Sequence, residues 1–166
     1  MQDNIIVKPS VEKQFDRFLR QGRVLFFSAP CGFGKTAVAE ALLSSREVLR
    51  LPAGSAGFKL PSAEADWQIL LLDDLQDMQE EQDWNALCEL IRACPERRFV
   101  LLSRGTPPGS LMAFQYTGLM TVLEADDLLF DADDVRRLLR LYGVEAADSE
   151  IDGILKESVG YPLGVA

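Results

Sequence analysis

The nine residues "SAPCGFGKT", 28–36, constrain this chain more than any other stretch because of what flanks them. Before them, "RVLFFS" is a short apolar run of strand formers; after them, "KTAVAEALLSS" carries helix formers with clustered apolar residues. A strand that enters a Gly-rich loop and leaves as a helix has the form of a phosphate-binding site. Successive backbone N–H groups turn inward, and the helix N-terminus adds its positive end. Gly32 and Gly34 supply backbone freedom, Lys35 reaches toward β- and γ-phosphates, and the Thr36 hydroxyl is a Mg²⁺ ligand. The strict pattern G-x-x-x-x-G-K-[ST] asks for glycine at 29, where the chain has Ala29. That substitution matters only if the backbone there needs a positive φ.

A second motif places Asp73 37 residues after Thr36. "QILLLDD" is a near-continuous apolar run ending in two acids, as suits a strand covered on both faces of a parallel sheet. The C-terminal ends of parallel strands line up along one edge, where ligands bind. Asp73 is therefore expected beside Thr36 as a Mg²⁺ ligand, with Asp74 orienting or deprotonating an attacking water. The plainer alternative is that both are solvated turn residues. "VLLSRGTPP" ends another predicted strand with Ser103 and Arg104, and a guanidinium there would sense or stabilise a γ-phosphate.

The remaining elements follow from periodicity. "EVLRL" at 47–51 and "LMTVLE" at 119–124 read as strands. Residues 52–66, rich in Pro, Gly, Ala and Ser, read as loop. Trp84, Leu87, Cys88, Ile91 and Cys94 form the apolar stripe of a helix ended by Pro95. Residues 131–142 and 148–158 read as helices, the first with Asp131 as N-cap. Residues 124–134 hold six acids in eleven positions, read as a solvated loop and helix start. Alternating strands and helices predict an α/β P-loop NTPase fold, a mainly parallel five-stranded sheet flanked by helices.

The net charge of −9 argues against this chain gripping nucleic acid directly, which needs a basic face; a nucleotide needs only backbone N–H groups and one lysine. No apolar run has the length of a membrane span, and the N-terminus lacks the pattern of a secretory signal. Three cysteines without zinc spacing, and no histidine, fit a reduced cytoplasmic setting. Cys31 lies in the loop at one of the motif's free positions, leaving open a redox gate on nucleotide binding.

"SAPCGFGKT", "ILLLDDLQ", "VLLSRGTPP", "VLEADDLLFDADDVRRLL" and "VGYPLGVA", in that order, resemble the N-terminal ATPase domain of the large ATP-binding LuxR-type transcription regulators. That group contains the maltose-regulon activator and belongs to the signal-transduction NTPases with numerous domains. Its phosphate loop is commonly "APAGYGKT", so Ala29 follows the family pattern. The resemblance implies that Ala29, Gly32, Phe33, Gly34, Lys35, Thr36 and Ala37 meet the cofactor, ATP or ADP with Mg²⁺. It also implies that Pro162, in a Gly-x-Pro motif with Gly160 and Tyr161, lies near the adenine. Asp74 and Arg104 become the candidate catalytic residues, Thr36 and Asp73 the metal ligands.

The resemblance further implies a division into a nucleotide-binding domain, 1–143, and the start of a helical segment, 144–166. The chain is then expected to be an excised piece of a longer regulator whose other domains are its partners. Nucleotide-dependent self-association is expected of that parent. The family usually has a longer, helix-containing stretch before the acidic strand, whereas about sixteen residues serve here. The expected function is a nucleotide-controlled switch reset by slow ATP hydrolysis. The alternative is a non-hydrolysing binding or scaffold module. A small-molecule kinase also uses a Gly-Lys-Thr loop but wants an arginine-bearing lid, and no such segment is legible.

Overall fold

The computed structural model describes residues 5–162. The tail of the Gly-Tyr-Pro stretch, 163–166, and residues 1–4 lie outside the described residues. The five apolar runs become β1 (Val24–Ser28), β2 (Val48–Pro52), β3 (Ile69–Asp73), β4 (Arg98–Ser103) and β5 (Met120–Glu124). They form one sheet in the order β2-β3-β4-β1-β5, and every pairing is parallel. Side chains alternate between its faces, as the period of a strand requires. Val24 and Phe26 enter one core and Leu25 and Phe27 the other. Each fully buried phenylalanine or leucine in these layers contributes about 2–3 kcal/mol of burial free energy.

The connections sort by face. α1 (Pro9–Gln21) and α2 (Lys35–Leu43) cover one face through Val11, Phe15, Phe18, Val38 and Leu43. α3 (Glu81–Ala93) and α4 (Gly109–Tyr116) cover the other through Leu87, Ile91, Leu111 and Phe114. The β2–β3 connection contains no helix, as its Pro/Gly content predicts. It covers the sheet with side chains instead: Ala53 and Trp67 are buried, and Phe58, Leu60 and Ala63 pack beside them. The Trp67 ring meets Phe99 edge-on at 5.5 Å, with the Arg97 guanidinium on the indole at 4.2 Å. A covering helix is thus replaced by a clasp of aromatic and aliphatic anchors.

α1 and α4 are not among the helices expected from the sequence. α1 has Pro9 at its first position and an apolar stripe at Val11, Phe15 and Phe18, a helix start legible in principle. α4 is only two turns long and begins after Pro108.

The acidic stretch 124–134, read as a solvated loop and helix start, does open a helix at Asp131 but differs in holding a further short helix and one buried acid. It folds into α5 (Ala125–Leu128) and the start of α6 (Ala132–Leu141), each opened by a capping box: Glu124 with Asp127, and Asp131 with Asp134. Acids at helix N-termini satisfy N–H groups that would otherwise have no partner. Asp134 is not solvated, being only 2% exposed. Lys8 pairs with it at 3.3 Å and Arg137 at 3.7 Å, so its charge is compensated on burial. Lys8 also donates to the Leu129 carbonyl, tying the chain before α1 to this corner.

Asp131 gives a stability prediction. Its carboxyl is held below the ordinary value of 3.8, first by the Asp134 N–H and also by the Lys8 ammonium. A carboxylate with a depressed folded-state pKa stabilises above its unfolded value, and that stability is lost as pH falls through the folded one. Asp131→Ala is therefore expected to cost about 1 kcal/mol in denaturant unfolding at neutral pH. The difference from wild type should shrink progressively below pH 3.8.

α7 (Asp148–Ser158) packs on α6 with Ile151 buried, and ends where Val159 and Gly160 take positive φ. No described helix is long and apolar enough to cross a membrane.

Candidate nucleotide site

The chain leaves β1 toward the α2 face and leaves the adjacent β4 toward the α4 face. Such a reversal between neighbouring parallel strands opens a crevice at their C-terminal ends. The loop 29–34 fills this crevice. Gly32 has φ 85° and Gly34 φ 75°, a left-handed conformation that glycine adopts without strain. Gly34 is the N-cap of α2, which starts at Lys35, so the loop's N–H groups and the helix end converge.

Ala29 does not have a positive φ, and it is 1% exposed beneath the loop. Its N–H donates to the Ser103 carbonyl at 3.3 Å. No glycine is needed there, and a methyl group fills core space. Ala29 lies beneath the loop and is not among the residues lining the two cavities described below. The Lys35 ammonium donates to the Ala29 and Pro30 carbonyls at 2.6 and 2.9 Å, arching over the loop. Burial lowers its pKa most, Arg104 lowers it further, and Asp73, Cys31 and Asp74 pull the other way.

Thr36 Oγ1 donates to Asp73 Oδ2 at 2.8 Å, joining the helix start to the acidic strand end. Asp73 Oδ1 accepts the Asp74 N–H at 2.8 Å. Asp74 itself has φ 58° and ψ 37°, tolerated by aspartate better than by most residues. This turns the chain sharply into a 3₁₀ turn, Leu75–Asp77, anchored by the fully buried Leu75. Arg104 follows β4 on the same edge. Lys35, Thr36, Asp73, Asp74, Gln76 and Arg104 line one polar cleft of about 420 Å³ together with the loop. Gln76 is a site residue that the sequence reading missed; its only signal was its place two residues after the paired acids.

An apolar cavity of about 210 Å³ adjoins the cleft and shares Gly32, Gly34 and Ala37 with it. Phe33, Phe130, Leu138, Tyr142 and Pro162 form much of its wall, with Ile5 and Ile6 from the chain before α1. Pro162 is brought there by a tight arrangement. The Phe130 N–H donates to the Gly160 carbonyl at 2.8 Å, and Tyr161 packs on Phe33 with ring centroids 5.0 Å apart. The Tyr161 hydroxyl donates to the Cys31 carbonyl at 2.8 Å. Cys31 is exposed in the polar cleft.

The residues present fit a nucleotide with Mg²⁺. An apolar cavity lined by Phe33, Phe130 and Tyr142 suits a base, the loop and helix end suit phosphates, and the Thr36–Asp73 pair suits a hard cation. No cluster of three or more His, Cys, Asp or Glu that could hold a metal occurs among the described residues. A magnesium ion at this site would take its remaining ligands from phosphate oxygens and water, its usual habit.

The fold agrees with solved structures. A RuvB variant from Thermotoga maritima superposes with a TM-score of 0.65 at 19% identity, covering 99% of this chain and 62% of that one. The signal-transduction ATPase with numerous domains and a tetratricopeptide repeat sensor from Pyrococcus horikoshii gives 0.64 at 11% identity, covering 97% and 29%. The Walker-type ATPase of Pyrococcus abyssi gives 0.63 at 12%, covering 97% and 66%. The fold is that of the P-loop NTPases. This chain spans about three fifths of the RuvB chains it matches. No family model and no curated protein matches the sequence.

Proposed function

We propose that this P-loop NTPase domain is an ATP- and ADP-binding switch of a multidomain LuxR-type transcription regulator, reset by slow Mg²⁺-dependent hydrolysis. The observation that carries the reading is the contact of one structural corner with both halves of the site. Pro162 walls the apolar cavity, while Tyr161 holds the phosphate loop through Cys31 and Phe33. A nucleotide seated in both cavities touches the loop and the segment after α7 together. It therefore favours one placement of that segment over another through differential contacts. The ordered motifs of the sequence support the family, and the acidic charge supports leaving DNA contact to another part of the parent.

In this reading Lys35 engages the β- and γ-phosphates, and Thr36 and Asp73 hold Mg²⁺, which neutralises developing charge on the phosphates. Asp74 orients the attacking water and takes its proton, Arg104 stabilises the γ-phosphoryl group, and Pro162 lies against the adenine. Water attacks the γ-phosphorus, the bond to the β-phosphate oxygen breaks, and ADP and phosphate leave. Calorimetric titration with ATP or ADP and Mg²⁺ tests the binding, and phosphate release tests the slow turnover.

Gly160 gives a sharper test of the corner. It has φ 74°, and a Cβ there would sit 2.6 Å from the Phe130 carbonyl oxygen. Gly160→Ala must displace that backbone, and Pro162 with it. We expect about tenfold weaker ATP binding, read by titration, from loss of the base contact and reorganisation of the loop. Affinity equal to wild type would mean that the corner does not touch the nucleotide.

A further inference from the structure

Gln76 occupies a position that no feature of the motifs explains. Its side-chain amide donates from Nε2 to Asp74 Oδ1 at 3.0 Å, and its Oε1 accepts the Arg104 N–H at 3.1 Å. Both ends of the amide are used, and its orientation follows from the partners. Reversed, the oxygen would face a carboxylate oxygen and the NH₂ would face an N–H. Gln76 is half-buried in the middle of the 3₁₀ turn, which the left-handed Asp74 caps and the buried Leu75 anchors at its first residue.

The turn after β4 is also held from the other side. Ser28 Oγ donates to the Gly105 carbonyl at 3.0 Å, and Ser103 Oγ accepts the Gly105 N–H at 3.1 Å. Hydrogen bonds thus link the ends of three strands: Ser28 on β1, Asp73–Gln76 after β3, and Ser103–Gly105 after β4. Through Thr36 and Asp73 the same chain reaches α2. One Asp74 carboxylate oxygen, Oδ1, is thus held by Gln76, and Asp74 lines the cleft.

We infer that Gln76 is a positioning residue: it fixes the Asp74 carboxylate and holds the Arg104 turn in register with it. The inference rests on the hydrolytic part of the proposed function. It assigns the alignment of the two candidate catalytic groups to one amide bridge, rather than to each group separately. A hydrogen bond to a charged group is stronger than one between neutral groups. Losing it from a group that must be aligned in the transition state therefore lowers turnover by about tenfold or more, without a matching loss of nucleotide affinity.

Two substitutions separate the two bonds. Gln76→Glu retains an acceptor for the Arg104 N–H and replaces the donor facing Asp74 with a carboxylate oxygen. Gln76→Met removes both bonds at similar length. Binding of magnesium–ATP by calorimetry, kcat by phosphate release and amide hydrogen exchange at Arg104 are measured on each full chain. We expect kcat to fall by about tenfold or more in both variants, with affinity within about twofold of wild type. Exchange at Arg104 should quicken by about tenfold or more in Gln76→Met and stay near wild type in Gln76→Glu. Unchanged Arg104 exchange in Gln76→Met, or unchanged kcat in both variants beside a turning-over wild type, would overturn the role of Gln76. A wild type that binds magnesium–ATP without any turnover would overturn the hydrolytic reading and the positioning role built on it.

Discussion

Lys35→Ala is expected to weaken magnesium–ATP binding by about 100-fold, the loss of a charge-assisted contact to phosphate from a partly buried site. The fold should survive, because the Lys35 ammonium bonds only to carbonyls of its own loop. The wild type carries a linked pH signature. Burial lowers the pKa of Lys35 from 10.5 in the free protein, whereas bound phosphates favour its charged form and raise it. Binding then takes up a proton between the two values, and affinity falls as pH rises through the lowered one. Lys35→Ala should abolish this alkaline fall along with the tight binding. Titrations across alkaline pH in buffers of different ionisation enthalpy measure both effects.

Asp74→Asn is the second large effect, and it separates a working hydrolase from a binding module. The carboxamide keeps the size of the side chain and can still accept from Gln76, but it cannot take a proton from water. A positioned general base contributes about 10²- to 10⁴-fold, so kcat should drop by at least about 100-fold with magnesium–ATP affinity little changed. The Thr36–Asp73 contact does not involve the Asp74 side chain, which leaves the metal-facing pair in place. Turnover equal to that of a hydrolysing wild type would remove Asp74 from the chemistry, whereas a wild type that binds without turnover would favour the non-hydrolysing scaffold reading.

Most of the sheet was legible because its strands are dense apolar runs closed by turn or polar signals. "RVLFFS" and "QILLLDD" could be placed from the sequence alone, and the phosphate loop fixed the order of the elements around them. Asp131 as an N-cap was also legible, because capping is a local rule. Asp134 was not. Its burial depends on Lys8, more than 120 residues away in sequence, and an acidic run looks solvated until that partner is placed. The loop at 52–66 was visible, but its consequence was not. Trp67, Phe58 and Leu60 give no helical or alternating period, yet they cover the sheet as a helix would.

At the site, the sequence could nominate Lys35, Thr36, Asp73, Asp74 and Arg104 because each sits at a strand or helix end. It could not find Gln76, which is tied to the site by a hydrogen bond from a backbone group 28 residues later. The apolar cavity was hidden for the same reason, since Ile5, Phe130, Leu138 and Pro162 converge only through tertiary packing. Ala29 shows the converse. The apparent defect in the motif disappears once its backbone is seen to need no positive φ.

The central claim is that one adenine nucleotide binds across the apolar cavity and the polar cleft. Calorimetric titration of the chain with ATP and Mg²⁺, in parallel with Lys35→Ala, tests it most directly. The account predicts saturable binding at one site per chain, weakened by about 100-fold in the variant. Absence of binding to the wild type, or equal affinity in the two proteins, would contradict it.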